Sequence, residues 1–194
     1  MKRHSWTGKL LIAAVLCGLA SVAAAQDLVH VISGEVTKID KDAKTIAVKT
    51  ADGTEHVFKY TEKTSVKDYK DAKHEVKKGG MDAYFKGKEG SHVVVRYTDK
   101  GADKVADSFD DFGKDSMKES KGTITKIDKA GHTLKIKADD GSEQTYAFGK
   151  DAAHETDKGV MKGWDYTASK AKEGDKVVVH YTEDAGKKVI HFFE

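Results

Sequence analysis

Two His-Glu pairs, His74-Glu75 and His154-Glu155, are the residues of this chain best suited to chemistry. Imidazole and carboxylate both ligate divalent transition metals, and a second copy or a further histidine would complete the coordination shell. The pairs sit in matching surroundings, with Asp71-Ala72 and Asp151-Ala152 before them and Met81 and Met161 after. Their spacing argues the other way. The Asp, Ala, Glu and Lys around them suit a short helix with an acidic start. Neighbouring residues on a helix do not face each other, so the His and Glu of one pair do not converge. No H-x-x-x-H or H-E-x-x-H arrangement supplies a fixed geometry. The competing reading has His74 and His154 capping or packing a short helix while Glu75 and Glu155 are solvated.

Other candidates are weaker. His180 and His191 stand where the other copy of an internal repeat has Arg96 and Asp107, and His56 and His92 stand opposite Gln144 and Lys176. Positions that tolerate such exchanges read as exposed. The few serines lie in turns or linkers and none in a G-x-S-x-G elbow, which gives nucleophilic catalysis little support. Asp139-Asp140 suggests calcium or acid–base work, but it falls in a turn where aspartate is favoured for backbone reasons. Tyr84, Phe85, Trp164 and Tyr166 are expected to cap the open end of a barrel, or else to bind a glycan, a peptide or an apolar ligand.

The elements that must position these residues are written twice. Gly34-Glu35-Val36-Thr37-Lys38-Ile39-Asp40 returns as Gly122-Thr123-Ile124-Thr125-Lys126-Ile127-Asp128, and the Glu89-Gly90 strand returns as the Glu173-Gly174 strand. Such self-similarity determines architecture before any single motif does. Ile46/Val48 and Leu134/Ile136 alternate as half-buried strands do. Asp52-Gly53 and Asp140-Gly141 read as type I′ hairpin turns. Phe58/Tyr60 and Tyr146/Phe148 keep a ring at each position while the hydroxyl moves, which fits core packing. Val93/Val95/Tyr97 and Val177/Val179/Tyr181 face one way in the next strand. Residues 71–81 and 151–161 break the alternation and are expected to be helical, as is the run 164–172.

The expected fold is mainly β: two tandem small antiparallel β-barrels of OB or SH3-like kind, each of about five strands with a short helical insertion, after an N-terminal signal helix. Residues 26–109 would form the first barrel, the polar run 110–121 a linker, and 122–194 the second barrel. Taken together, G-x-V-T-K-I-D, the T-[IL]-x-[VI]-K strand, D-G-[ST]-E and E-G-x-x-V-V-V-x-Y resemble exported bacterial proteins built from small β-barrel domains of unknown function. That resemblance implies fold and compartment and brings no catalytic or binding residue with it.

Residues 1–25 read as a secretory signal peptide. Lys2, Arg3 and Lys9 precede the apolar run Leu10–Leu19, and Ala23-Ala24-Ala25 offers small residues for cleavage. The apolar run is shorter than the roughly 20 residues that span a bilayer. The single cysteine, Cys17, lies in this segment, so the exported part would have no disulfide and no thiol chemistry. The chain has 34 Lys+Arg against 32 Asp+Glu, and loss of three basic residues leaves 31 against 32. Charges of both signs are interleaved, without the basic stripe of a nucleic-acid binder or the basic helix of a membrane-surface binder. The functional expectation is therefore a periplasmic or secreted, non-enzymatic binding or structural protein. It would use no cofactor, contact no nucleic acid, and have no stable membrane insertion after signal cleavage. Its partner would be a protein, glycan or small ligand of the cell envelope. The alternative is a periplasmic divalent-metal-binding protein using His74, Glu75, His154 and Glu155.

Overall fold

The structure is a computed structural model that describes residues 27–70, 76–78, 80–114 and 116–194. The expected signal peptide and the pair His74-Glu75 lie outside the described residues. Among the described residues, thirteen strands and two short helices follow in order. The first seven strands are β1 (Val29–Asp40), β2 (Thr45–Lys49), β3 (Glu55–Lys59), β4 (Ser65–Asp68), β5 (Val76–Lys78), β6 (His92–Lys100) and β7 (Asp103–Gly113), with helix α1 (Met81–Tyr84) between β5 and β6. The second set is β8 (Met117–Asp128), β9 (Thr133–Ala138), β10 (Glu143–Thr156), β11 (Gly159–Lys162), α2 (Gly163–Ser169), β12 (Lys176–Asp184) and β13 (Lys187–Phe193).

Each set closes a five-stranded ring. In the first, β1 pairs with β2 and β6, β2 with β3, β6 with β7, and the parallel pair β3–β7 completes the circuit. In the second, β8, β9, β10, β13 and β12 do the same, again through a parallel pair, β10–β13. This Greek-key order, with an insertion between the third and fourth barrel strands, is the OB arrangement. Closure removes the edges that short sheets would otherwise expose.

The repeated residues do repeated work. Val36, Ile46, Val48, Phe58, Val93, Val95, Tyr97 and Phe109 fill the first core, and Ile124, Leu134, Ile136, Tyr146, Val177, Val179, Tyr181 and Phe193 fill the second. The ladder shifts register beside Thr37 in one copy and beside Thr125 in the other. Each threonine then donates its hydroxyl to the carbonyl of the neighbouring strand, Ala47 O and Lys135 O, both at 3.3 Å. These paired bulges bend the long first strand so that it serves both of its neighbours.

Two expectations about the elements need correction. The segment 151–161 is not helical: β10 runs through it and turns back as β11, because its residues pair with β13 and β11. A helix was also expected over 164–172, and the second unit's helix, α2, spans Gly163–Ser169, beginning one residue earlier. The polar stretch 110–121 carries the end of β7 and the start of β8, and Asp110 and Asp111 are buried there. Polar residues can occupy a buried strand when each charge is paired. Asp110 accepts from Arg96 Nη1 at 2.7 Å, and Asp111 accepts from Lys88 Nζ, the Tyr84 hydroxyl and the Gly113 amide at 2.6, 2.7 and 2.8 Å.

The two Asp-Gly turns are also of another type. Only the glycines are left-handed, Gly53 at φ 88° and Gly141 at φ 86°, while Asp52 and Asp140 keep negative φ. Gly53 N–H donates to Thr50 O, and Thr50 N–H to Thr54 O, both at 2.9 Å. That is the three-residue hairpin built on a type I turn and a glycine bulge. Asp52 accepts the Thr54 amide, and the hydroxyl of Thr50 leads the contacts that lower its pKa to about 2.

Candidate functional site

On β10 successive side chains leave opposite faces, so His154 and Glu155 part company. His154 points into the second core. Its Nδ1 lies 2.8 Å from Phe193 O, its ring stacks on Phe193 at 4.4 Å, and Tyr166 covers it at 3.7 Å. Burial lowers its pKa, against the pull of the Phe193 carbonyl. Glu155 points out of the second barrel to the first, where it accepts the Val31 amide at 2.7 Å and meets His30 Nδ1 at 2.7 Å. The described half of the expected metal pair therefore does not present two ligands to one ion.

Glu155 belongs to a seam between the barrels. Val31, Val94 and Phe112 of the first unit and Met117, Ala153 and Phe192 of the second form a third apolar core, flanked by Tyr69 and Val160. Polar contacts surround it. Arg96 Nη2 donates to Asp151 O at 2.7 Å, and Lys67 Nζ donates to Asp151 Oδ2 at 2.6 Å. Burial works against the Lys67 ammonium, yet Asp151 and the Tyr69 hydroxyl hold its pKa above the usual value. The hydrogen bond from Lys67 holds Asp151 below the ordinary carboxylate range.

Histidines read as exposed are part of this seam. His180 and His191 are buried, at 7% and 8% exposure. His191 packs on Phe112 of the other barrel with ring centroids 4.4 Å apart, and its Nε2 lies 2.9 Å from the Thr182 hydroxyl. His180 lies over Phe192, with Nε2 3.9 Å from Glu194 Oε1. By offset in the repeat, Arg96–Asp110 and His180–Glu194 are the same pair in two versions. A signal for this was present in the sequence: the unbroken Val93-Val94-Val95 and Val177-Val178-Val179 runs mark strands covered on both faces.

The four aromatics expected to cap the barrels do pack near the helices. Phe85 is fully buried in the first core, and Tyr84 leans on it edge-on at 5.0 Å while donating to Asp111. Trp164 stacks on His132 at 4.5 Å, and Tyr166 covers His154. Tyr60 does use its hydroxyl, which bonds to Asp82.

Clefts follow the seam. One of them, of about 670 Å³, has Phe112, Tyr69 and His191 in its lining, with Lys67 and Lys70 from the first unit and Lys118 and Lys150 from the second. Two carboxylates, Asp151 and Glu183, also line it. Among the described residues no helix is long and apolar enough to cross a membrane.

This defines a class of molecule: a mainly β protein in which OB-type five-stranded barrels share a buried seam. No protein-family model matches the chain, and no curated protein matches it. Solved structures similar to it include CusF with Ag(I), at 13% identity and TM-score 0.31, over 40% of this chain and 95% of that one. Apo-CusF from Escherichia coli matches at 19% identity and TM-score 0.30, over 46% of this chain and 93% of that one. Each covers less than half of this chain.

Proposed function

We propose that this is an exported, non-enzymatic binding protein that holds a small anionic ligand in the lysine-rimmed groove between its barrels. The groove carries this reading. Its volume of about 670 Å³ lies in the range of small-molecule sites, and both barrels contribute to its walls. Four lysines against two carboxylates leave the lining net positive, beside an aromatic floor. The half-buried Tyr69 ring gives the groove an apolar wall, while ammonium groups take carboxylate or sulfate oxygens. Export rests on residues 1–25, whose charged start, apolar middle and small-residue end suit a signal peptidase. An envelope destination favours an acidic glycan fragment or small organic acid over a nucleic acid.

The test is an NMR titration of residues 26–194 with tetragalacturonate and, separately, citrate. Saturable shifts of the Lys70, Lys118 and Lys150 amides are expected for at least one anion, weakening with salt. Lys150→Glu should weaken that binding about tenfold or more, since it replaces attraction by repulsion at the rim. Absence of saturable shifts with either anion would sink the proposal. The divalent-metal alternative requires His154 and Glu155 to reach one ion from opposite faces of β10. Zinc uptake lost in His154→Gln would favour it.

A further inference from the structure

A second cleft on the seam, of about 300 Å³, receives one histidine from each copy of the repeat. His92 comes from β6 and His180 from β12, at places where the opposite copy has Lys176 and Arg96. Met117 lines the same cleft, its Sδ accepting the Ser33 hydroxyl at 3.4 Å. His92 Nδ1 is buried and has no hydrogen-bond partner. A buried ring nitrogen left without a partner forfeits free energy that a ligand would restore. His92, His180 and Met117 thus share the lining of one cleft.

We propose that His92, His180 and Met117 bind one soft monovalent metal ion, Ag(I) or Cu(I). The donor set selects the ion. Among the described residues no group of three or more His, Cys, Asp or Glu could hold a metal, so a harder divalent ion finds no ready cage. Two imidazoles and a thioether instead suit a soft ion. Glu194, 3.9 Å from His180 Nε2, and Glu119, the cross-strand partner of His180, supply negative charge nearby. The strands that carry the ligands are paired on both sides, His92 between β1 and β7 and His180 between β8 and β13, which fixes their backbones. Neither copy holds the set alone: His92 is from the first barrel, and His180 and Met117 from the second. The site would thus be a product of divergence between the copies.

The experiment is calorimetric titration of untagged residues 26–194 with silver nitrate in chloride-free buffer, alongside Zn(II). One Ag(I) per chain is expected, with a rise in melting temperature by mass action and shifts of the His92 and His180 ring signals. His92→Gln and Met117→Leu should each weaken uptake about tenfold or more, by analogy with losses seen on disturbing metal sites. Met117→Leu conserves volume in the seam core, so it separates loss of the sulfur from loss of the fold. His132→Gln and Lys150→Glu should leave uptake unchanged, which keeps this result separate from the anion groove. The proposal is overturned if stoichiometric silver is absent, if both ligand variants keep full uptake, or if Zn(II) takes these residues in preference to Ag(I).

Discussion

Arg96 and His180 occupy one place in two copies and show what burial does to a charge. Arg96 pairs with Asp110 at 2.7 Å, and burial raises the Asp110 pKa while the guanidinium pulls it down. His180 gives up its charge instead, with its pKa lowered from 6.5 to about 4 by burial, against Glu119 and with help from His92 and Lys121. Because the unfolded chain takes up this proton more readily, the folded state loses stability as pH falls from 6.5 towards 4, and the loss levels off below that. A shift of that size corresponds to a difference on the order of 3 kcal/mol. His180→Gln should flatten this part of the pH profile. Comparing urea unfolding of both proteins at pH 7 and pH 4.5 isolates the histidine from other groups. An unchanged difference between the two pH values would show that His180 is not buried in neutral form.

Strands and turns carry the next level of constraint. Gly34 and Gly122 are equivalent, and neither has positive φ; what requires glycine is proximity. A Cβ at Gly34 would stand 2.4 Å from Lys49 O, and one at Gly122 would stand 2.3 Å from Lys137 O. The neighbouring backbone belongs to a barrel strand and cannot withdraw without breaking the ring. Gly34→Ala and Gly122→Ala are each expected to destabilise by about 1–3 kcal/mol, as overpacking does. Gly141→Ala, by contrast, meets open space and only the cost of a left-handed alanine. Chemical denaturation of the three variants would check the ranking, and a Gly34→Ala protein as stable as the parent would contradict the close approach.

The two barrels unfold as one body if the seam core couples them. Phe192 is 1% exposed and packs with Val31, Val94 and Phe112 across the boundary. Its truncation to alanine should cost about 3–5 kcal/mol, the usual penalty for a large buried aromatic. Scanning calorimetry of the parent chain should show a single cooperative transition. In Phe192→Ala that transition should move to lower temperature and broaden or split as the barrels separate. Two well-resolved transitions in the parent would mean that the seam adds little to stability. The same boundary creates both clefts proposed as binding sites, so loss of the seam should also remove silver and anion binding together.

The core was legible because its signal is local and doubled. Alternation at Ile46/Val48 and Leu134/Ile136, the Asp-Gly turns and the Val-rich strands each report on a few adjacent residues, and the repeat shows each twice. The turn type escaped because Asp-Gly fits more than one hairpin, and the choice depends on how the flanking strands meet. Residues 151–161 escaped because their composition suits a helix, while the ladder to Phe192 and Phe193 makes them a strand. Polar composition similarly disguised Asp110 and Asp111, whose partners Arg96, Lys88 and Tyr84 are distant in sequence. His180 and His191 looked expendable because the copies differ there. Yet a difference between copies is what two identical barrels need in order to make an unlike interface. The residues alone therefore determined the barrels, whose contacts are local and repeated. The seam, its buried histidines and its clefts were decided by the meeting of the two units, where each side chain depends on a partner that no local pattern can supply.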